Sequence, residues 1–241
     1  PALLPSPALL YISKCNQFRH KFMTTIRSTV VLCCAFISIV LVMFVVSVTR
    51  TPQLSDEELR AAGVFLLPTP REIADFSLLG QDGYAFTNEA LQDKWSFIFF
   101  GFTHCPDVCP TSMAAMGQAE RGLYGDQEMA EADFQGVLVS VDPKRDTPAR
   151  LGDYARAFSP RFLGVSGLDD ELAAFARQLN VAFVEVATEP VDFGGETADY
   201  TVDHTGNIVI VNPRGHYHGF IKLPHKSDTI RLTYQTLAAQ F

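Results

Sequence analysis

Apolar and polar positions along this chain fall into blocks that predict one membrane-spanning helix followed by an α/β domain. Residues 28–49 carry no charged side chain, and about 20 such residues are enough to cross a hydrocarbon core about 30 Å thick as a helix. Shorter apolar runs of strand length follow at 95–102, 136–142 and 181–186. Segments that predict helices separate these runs, and this alternation indicates an α/β sandwich with a mixed central sheet.

Turn residues and helix starts refine this plan. Glycine-containing turns predict two hairpins, over 76–87 and 207–221. Thr147 before Pro148 fits an N-cap followed by the first position of a helix. The predicted helices run from 111 to about 123, from 148 to about 158, from 169 to about 179 and from 227 to about 239. Residues 187–199 are polar and contain glycine, so we expect a loop there.

The first apolar run is predicted to be an uncleaved anchor rather than a secretory signal. A signal would have an apolar region of about 7–15 residues followed by a small-residue cleavage site. This run is longer and ends Val46-Ser47-Val48-Thr49-Arg50. Basic residues precede the run, and no acidic residue occurs before Asp56. The positive-inside rule therefore predicts a single-pass protein with its N-terminus in the cytoplasm and the rest of the chain outside the membrane. We expect that membrane to be the bacterial inner membrane, with the soluble domain in the periplasm.

These features divide the chain into four predicted segments. They are a cytoplasmic segment at 1–27, a transmembrane anchor at 28–49, a linker at 50–72 and a folded domain at 73–241. The first methionine is Met23, and the sequence from there looks like an ordinary membrane-anchor start. We therefore expect residues 1–22 to be an upstream extension from a misassigned start codon.

The charge of the chain is concentrated after the anchor. All 27 Asp and Glu residues lie there, whereas five of the 19 Lys and Arg residues lie at or before Arg50, which leaves residues 51–241 with a net charge of −13 (14 minus 27). A surface of this sign disfavours nucleic acid and anionic lipid as partners. It suits solubility, a cationic surface on a partner, or attraction of metal cations.

Cys105 and Cys109 are the only cysteines outside the first 34 residues. They lie on a proline-containing turn between an apolar strand and a predicted helix, with three residues between them. A helix N-terminus carries partial positive charge and favours the thiolate, the form that ligates metals or attacks disulfides. A structural disulfide closing so short a loop would constrain the unfolded chain little. We therefore predict a chemical role, either as soft-metal ligands or as a redox pair.

His204 offers a third donor, at the end of the segment Tyr200-Thr201-Val202-Asp203-His204. Two thiolates and one imidazole suit copper, because thiolates select Cu(I) and imidazole accepts both copper states. Structural zinc would require four protein ligands. Spacing alone leaves His204 as one candidate among the histidines, and a metal-free dithiol remains an alternative.

The other histidines and the methionines are assigned less direct roles. His104 adjoins Cys105 and is interpreted as a tuning or structural residue. His216 and His218 share one face of a predicted strand, so a weak second metal site is an alternative. Asp203 is a candidate to orient the imidazole of His204. Two methionines of the predicted helix after the cysteines, Met113 and Met116, are expected to pack in the core.

Three motifs together resemble those of the Sco/SenC family, membrane-anchored proteins of thioredoxin fold that assemble cytochrome c oxidase. Phe100–Pro110 resembles the family's copper-site signature, Ser140–Pro148 the motif on its second core strand, and Tyr200–His204 its histidine motif. The similarity spans about residues 70–240. It implies a thioredoxin-like three-layer α/β sandwich with an added N-terminal hairpin.

The resemblance also implies a function. Cys105, Cys109 and His204 would bind one copper ion, as Cu(I) or Cu(II). The protein would deliver it to the copper-A site of cytochrome c oxidase subunit II, or reduce the cysteines of that site, as a metallochaperone rather than an enzyme. A copper donor and a thiol reductant would be further partners.

Two thiol-based functions compete with copper binding. A thiol–disulfide oxidoreductase acting on exported proteins is the alternative, although its usual motif has two residues between the cysteines and the extra residue here changes the redox poise. A thioredoxin-fold peroxidase is disfavoured. The peroxiredoxin family places a threonine three residues before its reactive cysteine, and neither Cys105 nor Cys109 has one there.

Overall fold

The computed structural model describes residues 28–47, 53–124, 133–192 and 197–241. The chain divides into two compact units, Pro1–Thr51 and Pro52–Phe241. In the first unit, Ser28–Ser47 form a helix (α1) that is long and apolar enough to cross a membrane, with a mean hydropathy of 3.0. The predicted cytoplasmic segment, residues 1–27, lies outside the described residues, and so does the expected upstream extension at 1–22.

The described part of the second unit alternates strands and helices. The strands are β1 (Val64–Glu72), β2 (Ser77–Gly80), β3 (Ala85–Thr87), β4 (Trp95–Gly101), β5 (Phe134–Ser140), β6 (Leu163–Ser166), β7 (Phe183–Asp192), β8 (Thr197–His204), β9 (Ile208–Val211) and β10 (His216–Ile221). The helices are α2 (Asp56–Ala61), α3 (Val108–Tyr124), α4 (Pro148–Phe158), α5 (Asp169–Gln178) and α6 (Ser227–Gln240). Both predicted hairpins and all four predicted helices are confirmed.

Eight strands form one mixed sheet in the order β1-β10-β9-β4-β5-β6-β2-β3. The central strands β4 and β5 are parallel, and every residue of both is buried, as their continuous apolar runs predict. Helix α3 contacts β4, β5 and α6, while α4 contacts β5 and β6. The predicted thioredoxin-like α/β sandwich is confirmed, and the β2–β3 hairpin is the predicted N-terminal addition.

The core lies around the central strands and α3. Met113 and Met116 of α3 are fully buried, which confirms their assignment to the core. Gly136 of β5 shows how closely the layers pack, because a Cβ there would lie 2.4 Å from the ring of Phe162. Close packing of this kind holds the carboxyl ends of β4 and β5 in fixed positions.

Part of the predicted linker, residues 50–72, belongs to the folded unit. Val64–Glu72 form β1, which pairs with β10 at one edge of the sheet. Pro68 and Pro70 interrupt the strand pattern in the sequence and thereby conceal this element. An edge strand tolerates proline, because one side of its backbone has no partner, and the register of β1 shifts across the two prolines.

The loop predicted at 187–199 is instead the outer part of a hairpin. Strands β7 and β8 pair antiparallel and form a separate two-stranded sheet, with Phe183 opposite His204 at its base. Residues 193–196 lie outside the described residues. The β7 side chains from 184 to 190 are exposed. The strand predicted at 181–186 covers the start of β7, and the residues that follow it lack the apolar alternation that would have extended the prediction.

Candidate metal centre

Three chain segments meet at the carboxyl ends of β4 and β5 in the main sheet. Because β4 and β5 are parallel, the loops that follow them lie side by side, and the Val141 amide donates to the Gly101 carbonyl over 2.9 Å. Strand β9 runs antiparallel to β4 with Ile208 opposite Phe99. The turn before β9 therefore lies beside the carboxyl end of β4. His204, the last residue of β8, lies just before that turn.

The loop after β4 and the first turn of α3 carry the two cysteines. The sulfurs of Cys105 and Cys109 and a ring nitrogen of His204 all lie within 4.8 Å of one another. The Cys109 Sγ atom is 3.7 Å from His204 Nε2. Cys109 is fully buried, whereas Cys105 and His204 are partly exposed. The predicted donors therefore form one group that is accessible from solvent on one side.

The imidazole of His204 is oriented by the backbone. Its Nδ1 atom lies 3.3 Å from the Thr205 carbonyl oxygen. A carbonyl only accepts hydrogen bonds, so this contact places a proton on Nδ1, and Nε2 is the ring nitrogen that faces Cys109. The rings of Phe99 and Phe102 meet the imidazole edge to face, with centroids 5.8 and 6.0 Å away. This environment leaves Nε2 as the nitrogen available to a metal.

The two thiols have unequal proton affinities. A hydrogen bond from the Cys109 thiol, assisted by His204 and the amides of Asp107 and Cys109, lowers the pKa of Cys105 to about 4 against the opposing effect of burial. The same hydrogen bond, together with burial and the negative charge of Cys105, raises the pKa of Cys109. The reduced pair therefore holds one thiolate, on the more exposed sulfur, with the Cys109 thiol donating to it.

A glycine provides the space for the buried sulfur. A Cβ on Gly101 would lie 2.9 Å from Cys109 Sγ and 2.9 Å from Cε1 of Phe99. Real side chains do not approach so closely, so any larger residue would displace the sulfur or the ring. The end of β4 thus forms part of the wall of the site.

The loop after β5 holds the cysteine loop in place. The buried carboxylate of Asp146 accepts hydrogen bonds from the Thr103 amide at 3.0 Å, the Thr103 hydroxyl at 2.5 Å and the Ser140 hydroxyl at 2.7 Å. Thr103 lies two residues before Cys105, so this carboxylate fixes the start of the cysteine turn. The sequence showed the motif containing Asp146 but not this role.

Of two residues next to the donors in the chain, His104 has the expected structural role, whereas Asp203 does not orient His204. His104 lies 3.2 Å from an Arg150 guanidinium nitrogen and 3.8 Å from Asp146, which agrees with a structural role. Asp203 is exposed on β8. The carbonyl of Thr205, rather than this carboxylate, makes the contact that orients the imidazole of His204.

The histidines of β10 and of the segment after it are not among the three donors. His218 packs against the Trp95 ring at 5.0 Å, and burial lowers its pKa. Within the described ranges, neither His216 nor His218 belongs to a group of three or more possible metal ligands. His225, which spacing did not single out, packs on Phe99 at 6.0 Å and lies 2.8 Å from the Ser112 hydroxyl.

The donor set can be tested against the metals considered. Two sulfurs and one imidazole nitrogen match a soft cation such as copper. In the described part of the chain no fourth His, Cys, Asp or Glu joins the group, so it does not supply the four ligands of a structural zinc site. Fold and site together define a thioredoxin-like domain with a centre of two cysteine sulfurs and one imidazole at the carboxyl ends of β4 and β5.

Comparison with known proteins extends this definition. The SCO1/SenC family model matches residues 67–239, and the chain belongs to this family. A Stutzerimonas stutzeri protein that carries a copper-binding description is 38% identical over 172 residues, covering 70% of this chain and 78% of its own.

Two solved structures are similar in fold. Copper-bound ScoI of Arabidopsis thaliana has a TM-score of 0.61 and 31% identity, over 70% of this chain and 98% of its own. BsSco, described as a member of the Sco family of cytochrome c oxidase assembly proteins, has a TM-score of 0.53 over 79% of this chain and all of its own. At 20% identity, the second likeness shows the fold alone.

Proposed function

We propose that this protein is a membrane-anchored copper metallochaperone that binds one copper ion through Cys105, Cys109 and His204. The observation that carries the proposal is the convergence of two sulfurs and one imidazole nitrogen within 4.8 Å of one another at the carboxyl ends of β4 and β5. The copper-binding description of the Stutzerimonas relative and the copper-bound Arabidopsis structure support copper as the metal.

The client in this proposal is the copper-A site of cytochrome c oxidase subunit II. Membership of the SCO1/SenC family supports an oxidase-assembly role. Helix α1 serves as the anchor, and the domain works on the outer side of a bacterial inner membrane, in the periplasm. A copper donor loads the site, and a thiol reductant keeps its cysteines reduced.

The residues of the site have distinct roles in copper transfer. Both thiols must be reduced, because a disulfide leaves neither sulfur free to ligate in the thiolate form. Cys105 already holds the thiolate, and Cys109 releases its proton when its sulfur ligates. The lone pair of His204 Nε2 completes the donor set. Because one side of the group is accessible from solvent, a client's ligands can replace these donors one at a time.

A thiol–disulfide oxidoreductase is the second candidate, and the unequal thiols favour it. The Cys105 thiolate would attack a client disulfide, forming a mixed disulfide and releasing one client thiolate. Cys109, deprotonated as it reacts, would then attack the Cys105 sulfur and release the second client thiolate. The client gains two electrons, and this protein is left with a Cys105–Cys109 disulfide. An external thiol reductant would regenerate the dithiol.

An anaerobic titration of the reduced full chain in detergent with Cu(I) and Cu(II) tests the proposal. We expect one tightly bound copper per chain, lost when Cys105 or Cys109 is replaced by Ser. His204→Ala should weaken Cu(II) binding by at least the about 10–100-fold that loss of a residue supporting a ligand costs, and should leave the dithiol redox chemistry intact. His216→Ala, on β10, is the matched control. Unchanged Cu(II) affinity in His204→Ala would reject the ligand assignment.

Deletion of the gene separates the two candidate functions. Oxidase activity should fall in the deletion strain, and added copper should restore it if delivery is the function. Restoration by a thiol reductant, with no response to copper, would favour the oxidoreductase. Normal oxidase activity without the gene would contradict both roles at this client.

A further inference from the structure

His204 lies at the base of a hairpin that has little packing of its own. Strands β7 and β8 pair with each other and not with the main sheet, and the β7 side chains from 184 to 190 are exposed. On β8, alternate residues face the same way, so Tyr200, Val202 and His204 lie on one face. Val202 is buried in the core. The position of the imidazole therefore depends on the contacts of this face and on the bonds between Thr205 and Ala182 at the base of the hairpin.

Tyr200 makes the most specific of those contacts. Its hydroxyl donates to the Asp142 carboxylate over 2.9 Å, and Asp142 is only 1% exposed. The Arg145 guanidinium lies over the Tyr200 ring, 4.1 Å from its centroid, and bonds the other oxygen of Asp142. A guanidinium nitrogen of Arg145 also reaches the Tyr200 carbonyl at 3.4 Å. The Tyr200 side chain and backbone are thus both held by the loop after β5.

The same loop also holds the cysteines. Asp146, one residue after Arg145, bonds the amide and hydroxyl of Thr103 in the cysteine turn. Residues 142–146 therefore touch both halves of the site, the hairpin through Tyr200 and the cysteine turn through Thr103. A half-exposed ion pair between Lys144 and Glu185 is a second contact between this loop and the hairpin. Exposed ion pairs of this kind contribute little to stability.

We propose that Tyr200 is a positioning residue for His204, through which the loop 142–146 keeps the imidazole beside the two sulfurs. The inference rests on the proposed copper site. Loss of the phenol hydroxyl releases the hairpin and moves His204 away from the sulfurs, while the cysteine turn stays held by Asp146. A three-donor site then becomes a two-thiolate site. Thiolates alone bind Cu(I) well, whereas Cu(II) relies on the imidazole, so the change weakens Cu(II) binding selectively.

Tyr200→Phe tests this with the full chain in detergent, and exposed Tyr84→Phe on the β2–β3 turn is the matched control. We expect Cu(II) affinity to fall by about 10–100-fold, as for loss of a residue that supports a ligand. The nitrogen hyperfine signal of the imidazole in the Cu(II) EPR spectrum should weaken. Cu(I) affinity should stay within about twofold of wild type, the scatter expected for independent sites.

A double-mutant cycle with His204→Ala separates positioning from a general effect on folding. In the His204→Ala background, Tyr200→Phe should change Cu(II) affinity by no more than about twofold, because the residue through which it acts is gone. Equal losses in both backgrounds would overturn the proposal, and so would an unaltered EPR signal. Should Tyr200→Phe unfold, Lys144→Ala is a milder variant, because it removes both the pair with Glu185 and the ammonium that lies 5.5 Å from the Tyr200 ring centroid. It should lower Cu(II) affinity in the same direction and by a smaller factor. If the wild-type protein binds no copper, the proposed function fails; if it binds copper through His204 and neither hairpin variant matters, only this inference fails.

Discussion

Gly101→Ala should damage the metal site from within the sheet. The added Cβ would stand 2.9 Å from Cys109 Sγ and 2.9 Å from the Phe99 ring, whereas ordinary contacts begin at 3.4 Å. The sulfur or the ring must therefore move by about 0.5 Å, which is the tolerance within which functional groups need to be held. Both are fully buried, so neither can move without disturbing its neighbours.

Two magnitudes follow from this displacement. Overpacking of a core costs about 1–3 kcal/mol, and for a domain of about 150–250 residues each kcal/mol lowers Tm by about 2–4 °C. We also expect copper affinity to fall by about 10–100-fold, as when a residue that supports a ligand is lost. Thermal unfolding of the reduced apo protein and competition titration with a copper chelator measure the two effects.

Gly152→Ala is the matched control, because it makes the same chemical change on α4. The atoms nearest to its Cβ would be those of the Arg156 guanidinium, at 2.9 Å and beyond, and that side chain is flexible. Alanine also has a helix propensity about 1 kcal/mol better than glycine, so stability should hold or rise and copper affinity should not change. Wild-type copper affinity and an unaltered Cu(II) spectrum in Gly101→Ala would refute the argument that this glycine makes room for Cys109.

Two further predictions concern the thiols and the loop beneath them. In the reduced apo protein iodoacetamide should modify Cys105 well before Cys109, as mass spectrometry after limited labelling would show. The rate of Cys105 modification should change little from pH 6 to 8, since a thiol whose pKa is about 4 is already ionised there. A thiol with a pKa near 9.0 would instead react about tenfold faster per pH unit. A steep rise of the Cys105 rate with pH would contradict the assignment of the thiolate to Cys105. Asp146→Ala should destabilise the protein by about 1–3 kcal/mol in denaturant unfolding, because it leaves the buried hydrogen-bond donors of Thr103 and Ser140 without their acceptor. Asp153→Ala, at an exposed carboxylate of α4, should cost far less, and equal losses would count against the buried network.

The sequence reveals those parts of the structure that depend on local pattern. Continuous apolar runs identified β4 and β5, and Thr147 marked the start of α4, where its hydroxyl accepts from the Arg150 amide. The cysteine turn was recognised because its two thiols stand close in the chain. His204 was identified as a ligand candidate through the family resemblance. Its proximity to Cys109 depends on the pairing of β9 with β4, which no local pattern predicts.

Other parts depend on contacts that leave no local signal. The outer parts of β7 and β8 pair through their backbones and are not buried. Their polar sequence therefore predicted a loop at 187–199. The prolines of β1 hid a strand that only its edge position permits. The contact between Tyr200 and Asp142 spans 58 residues of chain. Neither residue alone has a pattern that identifies its partner.

The long chain separation between Cys109 and His204 ties metal binding to folding. These residues are 95 positions apart and meet only after β9 has joined the sheet, so the unfolded chain keeps the two cysteines close together but lacks the three-donor site. A ligand that binds the native state more tightly than the unfolded chain stabilises the native state, by up to about 2.7 kcal/mol at a free concentration 100 times its Kd. Loaded and empty molecules therefore differ in resistance to unfolding and to proteases. Under the proposed delivery function, a molecule that has given up its copper would be the less stable of the two until it is loaded again.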